Sequence, residues 1–113
     1  MHDFRDGKLM RIFVDENDRR GAQPLYTAIV EFLRARGIAG ATVFPGIEGF
    51  GSRKQIHVSG LFSVMPDLPI LIEVVDDEAN IQAILPELEQ YVGKGLITIE
   101  AASYLRLGAS ERV

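Results

Sequence analysis

Three stretches of this chain carry residue types that bind or react, and the chemistry they point to is anion recognition more than bond breaking. The first is Gly46-Ile47-Glu48-Gly49-Phe50-Gly51-Ser52-Arg53-Lys54-Gln55. Glycine lets backbone N–H groups approach an anion closely, and Arg53 and Lys54 supply compensating charge, so the run suits a phosphate-binding loop. A solvated hairpin tip uses the same residues, since turns collect glycine. The spacing is neither the dinucleotide fingerprint nor a P-loop, which ends in Gly-Lys-Ser/Thr. The second stretch is Gly93-Lys94-Gly95. Two glycines around a lysine can wrap a phosphate, or form a helix C-cap with a cation that compensates the helix dipole. The third is Asp76-Asp77-Glu78, whose commoner role is to cap a helix and sit favourably at its N-terminus.

Other chemistries find less support. The chain has no cysteine and only two histidines, His2 and His57, so disulfides, thiolate metal sites, cysteine nucleophiles and a histidine metal cluster within one chain are all excluded. A small hydrolase using His57 with the carboxylates at 76–78 is the enzymatic alternative. No spacing forms a nucleophilic triad, however, and a packed or hydrogen-bonded histidine is the simpler reading. Gly49-Phe50-Gly51 echoes the RNA-recognition signature, but Ser52-Arg53-Lys54-Gln55 follows in place of the stacking aromatics. The net charge of −4, from 12 basic and 16 acidic residues, also gives no pull toward nucleic acid. The charged run at 15–20, DENDRR, reads as a solvated loop from which Arg19 or Arg20 reaches a neighbour.

The elements that must position these residues follow from periodicity. Residues 8–14, KLMRIFV, form an apolar strand. Pro24 suits a first helical turn, Leu25, Ile29, Phe32 and Leu33 share one helix face, and Gly37 supplies the C-cap. Residues 41–44 form a short strand ahead of the glycine-rich run. Residues 56–64, with a bulge at Gly60, and 70–75 form a bent or split strand. A second helix carries Ile81, Ile84, Leu85, Leu88 and Val92, with a kink or restart expected at Pro86. Residues 96–100 form the last strand, and 101–107 trail off.

Strand, helix, strand, strand, helix, strand is an α+β arrangement, the ferredoxin-like βαββαβ fold with an antiparallel sheet. At 113 residues one domain is expected at 8–107, between polar tails at 1–7 and 108–113. Residues 1–7 lack the apolar stretch of a secretory signal, and no apolar run reaches membrane-spanning length, so the expectation is a cytoplasmic protein without direct membrane insertion. Two helices cover only one face of the sheet. A closed symmetric oligomer, a trimer, is the economical cover for the other.

Taken together, these residues resemble the PII-like signalling proteins, most closely their uncharacterised branch known as domain of unknown function 190. The resemblance spans nearly all of 8–98. It rests on Asn17-Asp18-Arg19, Pro24-Leu25-Tyr26, Ile29-Val30, Gly40-Ala41-Thr42-Val43, Gly46-Ile47, Gly49-Phe50-Gly51, Ile56-His57, Asp67-Leu68-Pro69, Ile72-Glu73, Val75-Asp76 and Gly95-Leu96-Ile97-Thr98. It implies a homotrimer of ferredoxin-like subunits that works as a non-enzymatic sensor. An adenine nucleotide or similar anion, bound as a ligand and not as a cofactor, would sit in clefts between subunits. The loop at 46–57 would then signal to a partner, a membrane transport protein being the effector suggested. Carried over by motif, the ligand-binding residues are Gly49, Phe50, Gly51, Arg53, Lys54 and Gln55 at the loop base, Gly93, Lys94 and Gly95 in the turn, and Arg106 after the last strand. The chain departs from the branch at Pro45, where arginine is usual, and its loop carries no tyrosine for covalent modification.

Overall fold

The computed structural model describes residues 3–50, 57–58 and 68–108. Four strands build the main sheet: β1 (Arg5–Asp15), β4 (Thr42–Pro45), β7 (Pro69–Asp76) and β8 (Leu96–Tyr104), in the order β4-β7-β1-β8 with every pair antiparallel. Two short ribbons complete the strands: β2 (Arg19–Arg20) with β3 (Gln23–Pro24), and β5 (Glu48–Gly49) with β6 (His57–Val58). Helices α1 (Leu25–Ala35) and α2 (Glu78–Val92) follow β3 and β7. This strand order is that of a ferredoxin-like sheet, as the sequence pattern implies.

Alternation along the central strands decides which face is covered. Met10, Ile12 and Val14 of β1 and Ile70, Ile72 and Val74 of β7 are buried, each separated by a half-buried neighbour. They meet Ile29, Phe32 and Leu33 from α1 and Ile81, Ile84 and Leu88 from α2 in one core. Helix α1 ends as its glycine predicts. Gly37 has φ 80°, its N–H reaches the Arg34 carbonyl at 3.1 Å, and the Ile38 N–H reaches Leu33 at 3.1 Å. That is a Schellman closure with the buried Ile38 packed beneath it.

Among the described residues the opposite face carries no helix. Register places Phe44 beside Leu71, Leu71 beside Phe13, and Phe13 beside Leu96, so an apolar row crosses all four strands. Its two ends, Phe44 and Leu96, are 44% and 57% exposed. In the next row Arg11 Nε bonds Glu73 at 3.0 Å and Arg11 Nη1 bonds Glu100 at 2.5 Å. The Glu73 hydrogen bond, then that of Glu100, pushes the Arg11 pKa above its ordinary value.

Several boundaries differ from the sequence reading. β1 starts at Arg5 and β8 runs on to Tyr104 because Arg5↔Tyr104, Asp6↔Ser103 and Gly7↔Ala102 pair with one another, a long-range register that polar local sequence does not advertise. α2 passes through Pro86 without a restart. Pro86 and Gln82, whose carbonyl loses its donor, both face solvent, where water can hydrate the orphan. The charged run at 15–20 is not simply solvated: Arg19 and Arg20 form β2, and the two-residue loop Gly21-Ala22 returns the chain with Gly21 at φ 61°. Of the strand expected over 56–64, His57 and Val58 are described, and the rest lies outside the described residues.

The acidic trio also departs from simple capping. Asp77, the N-cap residue, makes no side-chain cap hydrogen bond into the first turn of α2. Asp76 is instead fully buried. Its carboxylate accepts the Ala39 N–H at 3.0 Å, the Asp77 N–H at 2.7 Å and Asn80 Nδ2 at 3.0 Å, tying the α1–β4 connection to the head of α2. Asp77 accepts from Arg5 at 2.7 Å and from the Tyr104 hydroxyl.

Candidate functional site

One end of the sheet collects the C-termini of β1 and β4 and the N-termini of β7 and β8. The glycine-rich run leaves this end as a strap around Pro69. The Gly46 N–H donates to the Pro69 carbonyl at 2.7 Å. A Cβ on Gly46 would stand 2.6 Å from Pro69 Cγ, and one on Gly49 3.2 Å from it, so the first of these glycines is required by close approach. β5 then pairs with β6, Gly49 opposite His57, which closes the base of the hairpin. Ile47 and Phe50 project from the strap at 78% and 65% exposure, an apolar cost in water that a partner surface would relieve.

The turn at 93–95 lies at the same end, ahead of β8. Gly93 has φ 62° and its N–H reaches Glu89 at 3.1 Å, closing α2. Gly95 lies against β1: a Cβ there would meet the Phe13 carbonyl oxygen at 2.3 Å. Lys94 is exposed between them and, among the described residues, takes part in no ion pair.

Thus the fold brings Gly49, Phe50, Gly93, Lys94 and Gly95 to one end of the sheet, but on opposite edges. The strap leaves edge strand β4 and folds onto Pro69 of β7, while the turn leads into edge strand β8 and packs on Phe13 of β1. Arg106 is elsewhere. It follows β8, whose eight-residue rise puts its end about 27 Å from Leu96, and its guanidinium stands 5.4 Å from the Tyr104 ring centroid. Within one protomer Arg106 cannot share a ligand with the turn. Gly51, Arg53, Lys54 and Gln55 lie outside the described residues.

Sequence reasoning missed the contact that organises this end. The Arg20 guanidinium lies 3.8 Å from the Tyr91 ring centroid, Tyr91 stacks on Phe32 at 4.8 Å, and Arg36 lies 4.9 Å over the Phe32 ring. Gly21 between short polar flanks was the available signal for the ribbon, whereas the stack depends on tertiary packing. A cavity of about 350 Å³ opens at the far end, lined by Asp6, Lys8, Glu78 and Ser103 among others. Its mixed charges do not select an anion. Among the described residues no group of histidines and carboxylates is placed to hold a metal, and no helix is long and apolar enough to cross a membrane.

Known proteins share this sequence and shape. The family described as "DUF190: Uncharacterized ACR" matches residues 7–104. A UPF0166 protein of Aquifex aeolicus is 38% identical over 102 residues, covering 88% of this chain and 94% of its own. One from Methanocaldococcus jannaschii is 38% identical over 93 residues, covering 81% and 85%. Among solved structures, CPII of Thiomonas intermedia, a nitrogen regulatory PII-like protein bound to ADP, AMP and bicarbonate, superposes with a TM-score of 0.71 at 16% identity over 94% of both chains. A putative PII-like signaling protein of Thermus thermophilus does so with a TM-score of 0.59 at 24% identity over 90% of each. These likenesses establish the PII-like fold.

Proposed function

Because this chain belongs to the DUF190 family and folds as PII-like proteins do, we propose that it is a non-enzymatic regulator that binds a small anion between subunits of a homotrimer. The ligand class is an adenine nucleotide, the kind of molecule bound to CPII. The carrying observation is the placement of the Gly46–Gly49 strap and the Gly93-Lys94-Gly95 turn at one end of the sheet on its two opposite edges. Within the protomer both outer edges, β4 and β8, are unpaired among the described residues. A neighbour set edge to edge brings the strap of one subunit to the turn of the next, and the uncovered row Phe44, Leu71, Phe13 and Leu96 is buried as the ring closes.

Gly49, Phe50, Gly51, Arg53, Lys54 and Gln55 form one half of the cleft, and Gly93, Lys94 and Gly95 the other. Backbone N–H groups and the cations Arg53, Lys54 and Lys94 meet the phosphates, while Arg106 reaches the cleft only when a neighbouring protomer carries it there. Ligand bound there signals through the loop at 46–57, where the exposed Ile47 and Phe50 present an apolar edge to a partner protein, for which a membrane transport protein is the effector class. The shift is limited by the ligand's differential affinity for the two loop states, about 1–3 kcal/mol.

Titration calorimetry of the purified oligomer with ATP, ADP, AMP and bicarbonate, alongside light scattering for mass, tests this reading. Saturable binding by a trimer, weakened at least tenfold by Lys94→Ala or by Arg53→Ala with Lys54→Ala, supports it. A trimer that takes up none of these ligands leaves a structural interaction protein. Turnover of bound nucleotide, lost in His57→Ala, would move the assignment to a hydrolase.

A further inference from the structure

The segment at 16–24, which carries the β2–β3 ribbon, contacts residues next to both halves of the proposed cleft. On one side the Glu16 N–H donates to the Leu68 carbonyl at 2.8 Å, one residue before Pro69, the proline that seats Gly46 and Gly49. On the other side Arg20 lies on Tyr91, two residues before Gly93. Between these contacts the segment is held by further hydrogen bonds. Asp18 folds back on Asp15 through Asp18 N–H to Asp15 O at 3.1 Å and Asp15 N–H to Asp18 Oδ2 at 3.0 Å, and the Leu25 N–H reaches Asp18 O at 2.7 Å. Gln23 Nε2 holds Glu31 of α1 at 2.9 Å.

We infer that this ribbon is the mechanical link between the two halves of the cleft and that Arg20 is its positioning residue. The inference rests on the proposed cleft for its role in binding, but the link itself is a property of the ligand-free chain. Arg20 has no contact with strap or turn. It acts through Tyr91: its planar guanidinium covers the ring at the last turn of α2 and so limits fraying of the helix end from which Gly93, Lys94 and Gly95 emerge. Fixing that end also fixes the ribbon and, through Glu16, the point where the chain re-enters the sheet at Leu68 and Pro69. An anion that orders the turn therefore favours the ordered strap, and the reverse holds by linkage. Arg36 serves as an internal comparison, because it covers the Phe32 end of the same stack and bonds Glu87 at 2.6 Å, away from both halves.

Amide hydrogen exchange on the ligand-free full chain tests the link. In Arg20→Ala the amides of Gly93 and Gly95, and also those of Glu16 and Gly46, should exchange about two- to fivefold faster, the loss expected of an exposed cation–π contact. The central amides of β1 and β7 should not change. Arg36→Ala should leave Glu16 and Gly46 untouched. Faster exchange confined to Gly93 and Gly95, equal acceleration throughout the sheet, or none at all overturns the inference. ADP titration is the second arm. If the wild-type chain binds ADP, Arg20→Ala should weaken it about two- to fivefold with Arg20→Lys in between, and equal affinity overturns the link's part in binding. If the wild type binds no ADP, the nucleotide assignment fails while the exchange data still decide the link.

Discussion

Gly95 lies so close to Phe13 that a side-chain carbon on the glycine would stand 2.3 Å from the Phe13 carbonyl oxygen. Backbone cannot yield as a flexible side chain can, and Val92 Cγ1 stands at 2.6 Å on the other side. Gly95→Ala should therefore cost about 1–3 kcal/mol in urea unfolding. Gly93, with φ 62° and ψ −88° and open space around it, holds a sparsely populated backbone conformation, and as alanine should lose about 1–3 kcal/mol from the backbone alone. A Gly95→Ala protein as stable as the parent would mean that the corner has room the structure denies.

Asp76 is the only buried charged or polar side chain among the described residues, and it satisfies two backbone N–H groups and Asn80. Replacing it by alanine strands the Ala39 N–H, and a loss of roughly 2–4 kcal/mol is expected. Asp76→Asn keeps one acceptor oxygen and should fall between. Thermal unfolding of the three proteins at one concentration checks the order.

The uncovered row makes a prediction about mass. Leu71→Asp places a carboxylate between Phe44 and Phe13, where assembly would have to bury it unpaired. If the chain assembles as the proposed trimer, light scattering of Leu71→Asp should show single subunits, with far-ultraviolet dichroism unchanged. An intact trimer in Leu71→Asp would show that this face is not the assembly surface.

Arg11 links Glu73 and Glu100 on that same face, and both hydrogen bonds push its pKa upward. A raised folded pKa gives stabilisation that is complete below the unfolded value and disappears only as pH climbs through the folded one. The Arg11 contribution should thus be flat between about pH 6 and 9, its guanidinium charged throughout. Comparing wild type with Arg11→Met across that window should give a constant difference in unfolding midpoint. A difference that changes with pH would assign the effect to another group.

Pro86 interrupts the hydrogen-bond ladder of an unbroken α2 on its solvent side. Pro86→Ala restores the donor to Gln82 and should stabilise the chain by about 1–3 kcal/mol. A destabilised variant would mean that the ring packs more usefully than its exposure indicates.

Much of the fold was legible locally. The 3.6-residue spacing of Leu25, Ile29, Phe32 and Leu33 and the glycine at 37 located α1 and its end, and alternation located β7 to within a residue at each side. The ribbon at 19–24 was not legible, because strands of two residues are too short to carry a period. The far end of β8 was hidden for a different reason: Ala101, Ala102 and Ser103 become a strand only by pairing with residues near the start of the chain.

For the candidate site the sequence by itself determined the composition: which glycines, which cations, and on which loops they fall, since turn chemistry is local. Only tertiary structure decided their arrangement. It set the strap and the turn on opposite edges of one sheet end, moved Arg106 to the other end, turned Asp76 inward and laid Arg20 on Tyr91. Each of these depends on strand order and register, and those are fixed by contacts between residues far apart in the chain, which no local window of residue types contains.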